Sequence, residues 1–166
     1  MKRPTGKIWL RHTEYLCSLP TKHGGAGLVV LNGKGRILLV KPIYRNYWKL
    51  PGGSVDHFES PRDACVREAR EELRLPVRKA EFLGVSYNTH VKHGHEDLQF
   101  YFYGGTVRKA QIDRMKARAN EIEEYRFCTR RAAVKMLRRG SEGMLAMWFR
   151  AIAAGVPFYH ERTYHD

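Results

Sequence analysis

One segment, residues 60–76, most constrains what this chain can fold into, because it carries a clear helix start and a clear helix end. Ser60 is a good N-cap residue, and Pro61 suits the first helical position, where its missing N–H costs nothing. No further glycine or proline interrupts the segment until Pro76, which a helix interior does not tolerate. The sequence therefore predicts a helix over residues 61–74.

The faces of this predicted helix differ in chemistry. At about 100° per residue, Glu68, Glu71 and Glu72 share one face, and an apolar stripe beside them can seat the helix on a sheet. Carboxylates about 5 Å apart repel by roughly 3 kcal/mol at an effective dielectric of 20. Hard divalent cations prefer clustered carboxylate oxygens, so the acidic face can hold a metal. A glutamate-rich helix alone is more typical of a solvated face that neighbouring arginines compensate, and the flanking sequence decides between the two. The apolar stripe consists of Cys65, Val66, Ala69 and Leu73.

The segment Gly53–Leu75 resembles the Nudix box, whose pattern is G-x5-E-x7-R-E-U-x-E-E-x-G-U, with U an apolar residue. Glu59 and Arg67 stand at the fixed charged positions before the three glutamates, so every charged position of the motif is present. Arg74 stands where the family has a glycine that helps to end the helix, so that ending depends here on Pro76. The chain thus resembles the Nudix hydrolase family.

The remainder of the chain mixes strands and helices with short connections, which predicts an α/β chain with a mixed β-sheet. Asn32-Gly33-Lys34-Gly35 lies between two β-branched apolar runs and predicts a hairpin. The family resemblance implies a Nudix-like α/β/α sandwich, formed by a single domain over residues 26–166. The runs that predict strands are 27–31, 37–40, 82–87, 98–103 and 124–128, and those that predict the closing helices are 130–138 and 142–153.

Residues 1–25 precede this pattern and are expected to form an N-terminal extension. Two apolar clusters in it, Ile8-Trp9-Leu10 and Tyr15-Leu16-Cys17, can add an edge strand to the sheet. No apolar run approaches the roughly 20 residues that a membrane span needs, and none follows the basic start as it would in a secretory signal. We therefore expect no membrane partner.

Cysteine usage bears on the compartment. Three cysteines without CxxC spacing argue against a disulfide framework and against a cysteine-based zinc site. A reducing, cytoplasmic location is therefore expected.

The resemblance implies a hydrolase that cleaves a diphosphate bond with a divalent metal, Mg²⁺, for which Mn²⁺ can substitute. By position in the motif, the glutamates of the acidic face are the metal ligands or the groups that activate water. A further carboxylate often comes from a loop before the last strand, where Glu121 matches and Glu124 is the second choice. The implied metal ligands are Glu68, Glu71, Glu72 and the carbonyl of Gly52, and the implied catalytic groups are Glu68, Glu71, Glu72 and Glu121.

Other positions are implied to hold the loop or the substrate. Glu59 and Arg67 are expected to form an internal ion pair that clamps the loop containing Gly53 to the helix. Lys41, at the end of the second strand, matches a position whose basic side chain meets substrate phosphate. Nearby candidates for the same role are Arg45 and Lys49.

The charge balance favours polyanionic partners. Lysine and arginine number 30 against 17 acidic residues, which gives a net charge of +13, with eight histidines besides. Such a field attracts nucleotides, other diphosphate-containing small molecules or RNA without choosing among them. Residues 129–139 carry several basic residues and no acidic one, and they form either a solvated face or a phosphate or RNA patch.

Two further segments keep two interpretations each. His90, His93 and His95 have a spacing compatible with metal binding, but they are more typical of a polar loop between strands. The aromatic and charged tail, residues 158–164, either covers a cleft or frays.

The substrate is narrowed by the resemblance alone. Secondary signals of the ADP-ribose, dinucleoside polyphosphate, NADH and CoA subgroups do not match outside the box, which leaves a nucleoside triphosphate or modified nucleotide as the leading substrate. Two alternatives are an RNA 5′ pyrophosphohydrolase, which the charge favours, and a non-catalytic nucleotide-sensing domain, which the intact carboxylate set disfavours. Nudix domains often dimerise, so a homodimer is a further alternative.

Overall fold

The computed structural model describes residues 12–137 and 141–165, in which seven strands form one sheet. In chain order the elements are α1 His12–Ser18, β1 His23–Asn32, β2 Ile37–Pro42, β3 Gly52–Ser54, α2 Pro61–Leu73, β4 Glu81–His90, β5 His95–Val107, α3 Lys109–Ile112, β6 Ile122–Cys128, α4 Arg130–Met136, α5 Glu142–Ala154 and β7 Phe158–Tyr164. Among these described helices, none is long and apolar enough to cross a membrane.

The sheet is mixed, as the sequence predicted. Its strand order is β6-β2-β1-β5-β4-β7, and the short β3 pairs with β1 off this path. β1 runs parallel to β5, and β4 runs parallel to β7, whereas the other pairs are antiparallel. The predicted hairpin joins β1 to β2, because Asn32 Oδ1 accepts hydrogen bonds at 3.0 Å from the backbone N–H groups of Lys34 and Arg36.

Alternate residues of the central strands face two separate cores, because successive side chains of a strand point to opposite faces. Leu28 and Val30 of β1 lie in a core with the apolar stripe of α2. Val29 lies on the opposite face, in a core with α4 and with Trp148 and Phe149 of α5. The sheet is thus covered on both faces, which gives the α/β/α sandwich that the family resemblance implied.

Helix α2 begins and ends close to the predicted residues. Ser60 Oγ accepts a hydrogen bond at 3.1 Å from the backbone N–H of Asp63, as an N-cap residue does. After Leu73, Arg74 takes the left-handed conformation, with φ 52° and ψ 30°. The turn that the family makes with glycine is therefore made here by a residue with a side chain.

The two ends of the chain differ from the sequence interpretation. Tyr15-Leu16-Cys17 lies in α1, so the predicted edge strand is wrong there; β6 and β7 are the edges of the sheet. The cluster Ile8-Trp9-Leu10 lies outside the described residues. The tail does not fray, because Phe158–Tyr164 forms β7 along its whole length beside β4.

The strands β4 and β5 are longer than predicted. His90 is the last residue of β4 and His95 the first residue of β5, and a 3₁₀ turn, Val91–His93, connects them. The interpretation of all three histidines as a loop is therefore wrong for two of them, because cross-strand pairing continues to the tip of this hairpin.

Candidate active site

Three carboxylates from two parts of the chain converge beside α2. Glu68 and Glu72 lie one helical turn apart on α2, and Glu121 lies in the loop before β6. Each offers a carboxylate oxygen, and these oxygens all lie within 4.8 Å of one another. The arrangement brings together two of the three predicted helical ligands and the predicted loop carboxylate.

The loop that carries Glu121 is held by the C-terminal end of α2. The last carbonyls of a helix lack partners within the helix. Here the Leu73 carbonyl accepts a hydrogen bond at 3.0 Å from the Lys116 N–H, and the Glu72 carbonyl accepts one at 2.9 Å from the Arg118 N–H. Capping of the helix by this loop therefore also places the loop carboxylate beside the helical ones.

Glu72 is fully buried, with no exposed side-chain surface. Its Oε1 accepts a hydrogen bond at 2.9 Å from Lys49 Nζ, and its Oε2 accepts one at 3.0 Å from the Gly52 N–H. Burial raises the pKa of Glu72, and the attraction of Lys49 and the hydrogen bonds from Lys49 and Gly52 oppose that rise. The Lys49 ammonium also donates to the Gly52 carbonyl, so a cation already lies between two of the predicted ligands.

Two glycines at the start of β3 allow close contacts with α2 and with β1. A Cβ on Gly53 would lie 2.4 Å from Glu68 Oε1, closer than any side chain tolerates. Gly52 has φ 138°, and a Cβ there would lie 2.1 Å from the Ala26 carbonyl oxygen. Gly53 therefore leaves room for the Glu68 carboxylate of α2, and Gly52 allows β3 to lie against β1.

Arg67 connects this loop to the helix. Its Nε donates to Glu59 Oε1 at 2.8 Å, its Nη1 donates to Glu68 Oε1 at 2.9 Å, and an Nη2 bond at 3.2 Å reaches the Ser54 carbonyl. The hydrogen bond from Arg67 lowers the pKa of Glu59, and that bond raises the pKa of Arg67. The predicted partners are thus in contact, and the Glu59 carboxylate is directed at Arg67.

Glu71 and Glu124 lie outside the group of three carboxylates. Glu71 keeps 46% of its side chain exposed, and its Oε2 lies 3.6 Å from Arg67 Nη1 and 3.8 Å from Arg118 Nη1. Glu124 accepts a hydrogen bond at 3.0 Å from Arg126 Nε. Of the two loop candidates, the structure therefore places Glu121, not Glu124, beside the helical glutamates.

The three predicted substrate-binding cations lie in different surroundings. Lys49 lies among the carboxylates, as described above. Lys41 Nζ donates to Glu123 Oε1 at 2.8 Å on the neighbouring surface. Arg45 donates to the hydroxyl of Tyr47 and lines the large cleft next to the carboxylates.

That cleft has a volume of about 620 Å³ and extends over the α5 side of the sheet. Three aromatic residues line it from the loop between β2 and β3, namely Tyr44, Tyr47 and Trp48. Residues of β7, Arg162 and Tyr164, also line it, so the tail forms part of its wall. The polar residues that line it from β4 and β5 are Ser86, Asn88, His90, His95, Asp97, Gln99 and Tyr101.

Sequence reasoning missed most of this polar lining. The residues lie at alternate positions of β4 and β5, which places them on one face of the sheet. Polar side chains at every second position are unusual for a face that packs on a core. That alternation was the signal by which these residues could have been found.

Comparison with known proteins finds a family match that includes α2 and the loop of Glu121. The model of the NUDIX domain family matches residues 21–148. The RNA pyrophosphohydrolase of Psychrobacter cryohalolentis is 34% identical over 80 residues, which cover 43% of this chain and 46% of that protein. The putative 8-oxo-dGTP diphosphatase of Bacillus subtilis is 39% identical over 80 residues, or 48% of this chain and 51% of that protein. The matching segment thus spans about half the length of these relatives.

Solved structures share the fold. The MutT protein from Methanosarcina mazei Go1 has a TM-score of 0.66 at 21% identity, over 81% of this chain and 99% of that chain. The Caenorhabditis elegans Ap4A hydrolase, solved as a binary complex, has a TM-score of 0.64 at 22% identity over the same shares.

Proposed function

The chain belongs to the NUDIX domain family, and from that premise we propose that it is a metal-dependent pyrophosphohydrolase. The reaction is hydrolysis of a phosphoanhydride bond in a nucleoside diphosphate that is linked to another moiety. The observation that carries this proposal is the convergence of Glu68, Glu72 and Glu121, where Glu72 shares the Lys49 ammonium with the Gly52 carbonyl.

The donor atoms fit a hard divalent cation. All are oxygens, which suits Mg²⁺ or Mn²⁺. The Lys49 ammonium supports this fit. It donates hydrogen bonds to the Gly52 carbonyl and to Glu72, so these two oxygens already bind a cation. Glu68, Glu72, Glu121 and the Gly52 carbonyl would hold the metal, which neutralises phosphate oxygens and lowers the pKa of bound water.

The carboxylates differ in burial, and burial determines which of them can exchange a proton with water. Glu72 is sealed from solvent, so we assign it to holding charge and not to exchanging protons with water. Glu68, Glu71 and Glu121 retain exposed surface and are the candidates for the base that receives a proton from the attacking water. Arg67 and Glu59 hold the loop against α2 and so keep the Glu68 carboxylate and the Gly52 carbonyl close to each other.

The cleft supports a nucleotide as substrate. The aromatic side chains that line it provide faces on which a base can stack, and the polar side chains of β4 and β5 provide donors and acceptors for the edge of the base. Arg45, which lines the cleft, and Lys41, on the adjoining surface, are assigned to substrate phosphate. We propose a nucleoside triphosphate or a modified nucleotide as the substrate.

A second candidate is the 5′ triphosphate end of RNA. The net charge of +13 favours a long polyanion, and the Psychrobacter relative is named RNA pyrophosphohydrolase.

One assay tests the proposal and separates the two substrates. Nucleoside triphosphates, 8-oxo-dGTP, Ap4A, sugar nucleotides and 5′-triphosphorylated RNA are incubated with the protein and Mg²⁺, and phosphate and pyrophosphate release are measured. We expect turnover of at least one nucleotide or of the RNA, and none in excess EDTA. Turnover that persists in EDTA, or no turnover of any of these compounds, would contradict the proposal.

We also propose that the protein works in the cytoplasm. All three cysteines are free, and Cys65 and Cys128 are buried. Free thiols in this number are typical of proteins from a reducing compartment.

A further inference from the structure

A second group of possible metal ligands lines the cleft, separate from the carboxylates beside α2. It consists of His90 at the end of β4 and of His95 and Asp97 at the start of β5. The pyrophosphohydrolase proposed above uses these side chains only as polar groups facing the substrate base, and none of them holds its catalytic metal. Their chemistry also differs, because two of the three offer imidazole nitrogen instead of oxygen.

Strand pairing brings these side chains to one face of the sheet. His90 is the cross-strand partner of His95, and Asn88 is the partner of Asp97. Residues two apart on a strand point the same way, and cross-strand partners have Cβ atoms about 5 Å apart. The three side chains are therefore held close together by strand pairing and not by a flexible loop.

Side-chain distances support a shared ion. One ligand atom from each residue lies within 4.8 Å of the other two. His90 Nε2 lies 2.7 Å from Asp97 Oδ2, and the rings of His90 and His95 stack with centroids 4.4 Å apart. The ring of His23, which pairs with Asp97 from β1, lies 5.7 Å from that of His95 and is a further nitrogen donor at the edge of the group.

Neighbouring side chains orient the ligands. Asn88 Nδ2 donates to Asp97 Oδ1 at 2.7 Å, which leaves Oδ2 directed at His90. The ring of Tyr164, from β7, stacks on His90 with centroids 4.7 Å apart and an angle of 3° between the planes. Second partners of this kind fix ring orientation and carboxylate geometry in metal sites.

We propose that His90, His95 and Asp97 form a site for a transition-metal ion of the Zn²⁺ class. Imidazole and carboxylate suit Zn²⁺, whereas Mg²⁺ prefers an all-oxygen set like that beside α2. A four-coordinate ion held by three protein ligands keeps one coordination position free. Because His95 is exposed and the site lines the cleft wall, water or a ligand in the cleft can reach that position.

The test is a calorimetric titration of the full, metal-free chain with Zn²⁺ in the presence of saturating Mg²⁺, so that the carboxylates beside α2 are already occupied. We expect one Zn²⁺ per chain in the unsubstituted protein. His95→Gln should weaken Zn²⁺ binding at least about tenfold, because substitution of a residue that only contacts a metal ligand already lowers metal affinity by that factor. His12→Gln removes an exposed histidine of α1 and serves as the matched control, with affinity unchanged.

Two further variants keep the outcome decisive. Glu72→Gln should leave Zn²⁺ affinity unchanged, because it alters only the carboxylate site. If His95→Gln does not fold, as judged by circular dichroism, Asp97→Asn replaces it with the same expected loss. Absence of Zn²⁺ binding to the unsubstituted protein, or a loss that follows Glu72→Gln instead of His95→Gln, would overturn the proposal.

Discussion

At the scale of single residues, Glu72 has two opposing requirements. It lies among the oxygens proposed to hold a divalent metal, yet it has no solvent-exposed surface. Without metal, its charge is balanced by Lys49 and by the Gly52 N–H. Its titration and its pairing with Lys49 therefore both report on how the site accommodates charge.

The raised pKa of Glu72 predicts a pH dependence of stability in the metal-free protein. Because burial raises the pKa in the folded state, the folded chain binds this proton more tightly than the unfolded chain does. Stability from this group is then complete below about pH 4.3, the ordinary glutamate pKa, and is lost as pH rises through the folded pKa.

Urea unfolding in EDTA across this pH range measures the effect. Glu72→Gln should remove the fall in unfolding free energy that this group contributes, whereas Glu142→Gln, at an exposed position of α5, should retain it. Parallel pH curves for Glu72→Gln and the unsubstituted protein would show that Glu72 is not the titrating group.

We expect the metal to displace the Lys49 ammonium from the oxygens of Glu72 and Gly52. Lys49→Met leaves Glu72 without its counter-charge and should lower metal-free stability by about 2 kcal/mol, less than for a fully buried pair because Lys49 keeps 24% of its side chain exposed. Mg²⁺ then restores the missing charge, so the Mg²⁺-induced rise in Tm should be larger in this variant than in the unsubstituted protein.

Thermal scans with and without Mg²⁺ check this expectation. Lys79→Met, which removes an exposed lysine paired with Glu81, is the control and should show the ordinary Mg²⁺ response. An equal or smaller Mg²⁺ response in Lys49→Met would mean that the ammonium and the metal do not share these oxygens.

At the scale of elements, the end of α2 carries a strain that the family pattern avoids. Arg74 has φ 52°, which costs a residue with a side chain about 1 kcal/mol relative to glycine. Arg74→Gly should therefore raise the free energy of unfolding by about 0.5–1 kcal/mol and leave kcat within a few-fold.

Chemical denaturation of two glycine variants checks this. Arg78→Gly makes the same change in the same connection, at a residue without positive φ, and should lower stability. Equal effects of the two substitutions would show that the left-handed turn stores no strain.

Elements set by local chemistry could be predicted from the sequence, and those set by distant pairing could not. Ser60 and Pro61 determine the start of α2 through bonds within one turn, so its position followed from the sequence. β7 depends on parallel pairing with β4, from which it is separated by two strands and three helices, so no local signal distinguished it from a frayed tail. The cluster Tyr15-Leu16-Cys17 has no period long enough to separate helix from strand.

The candidate site divides in the same way. The spacing of Glu68 and Glu72 on one helix is a local property, and the choice of Glu121 came from the family resemblance. The complete burial of Glu72 depends on the loop of Lys49 and Gly52 folding over α2, which helical periodicity does not encode. The polar lining of the cleft requires the register of β4 on β5.

At the scale of the whole molecule, a small acidic centre lies in a strongly positive chain. The net charge of +13 attracts polyanions over the surface, whereas the carboxylates beside α2 need a metal before phosphate can approach them. The surface should therefore control encounter, and the acidic centre should control the chemical step.

Salt separates these two contributions. We expect kcat/KM for 5′-triphosphorylated RNA to fall more steeply with ionic strength than kcat/KM for a nucleoside triphosphate, because more phosphates contact the basic surface. Initial rates between low and physiological salt measure both slopes. Equal slopes would mean that the basic surface does not take part in binding RNA.

The central claim is that the carboxylates beside α2 hold the metal that makes hydrolysis possible. The most direct measurement is kcat of Glu68→Gln at saturating Mg²⁺ on the best substrate of the assay above, with Glu142→Gln as the exposed control and circular dichroism to verify folding. Gln keeps the size of the side chain and its hydrogen bond to Arg67 while removing the charge. We predict a fall in kcat of at least about a hundredfold for Glu68→Gln and none for the control. A folded Glu68→Gln protein with kcat close to that of the unsubstituted protein would contradict this account.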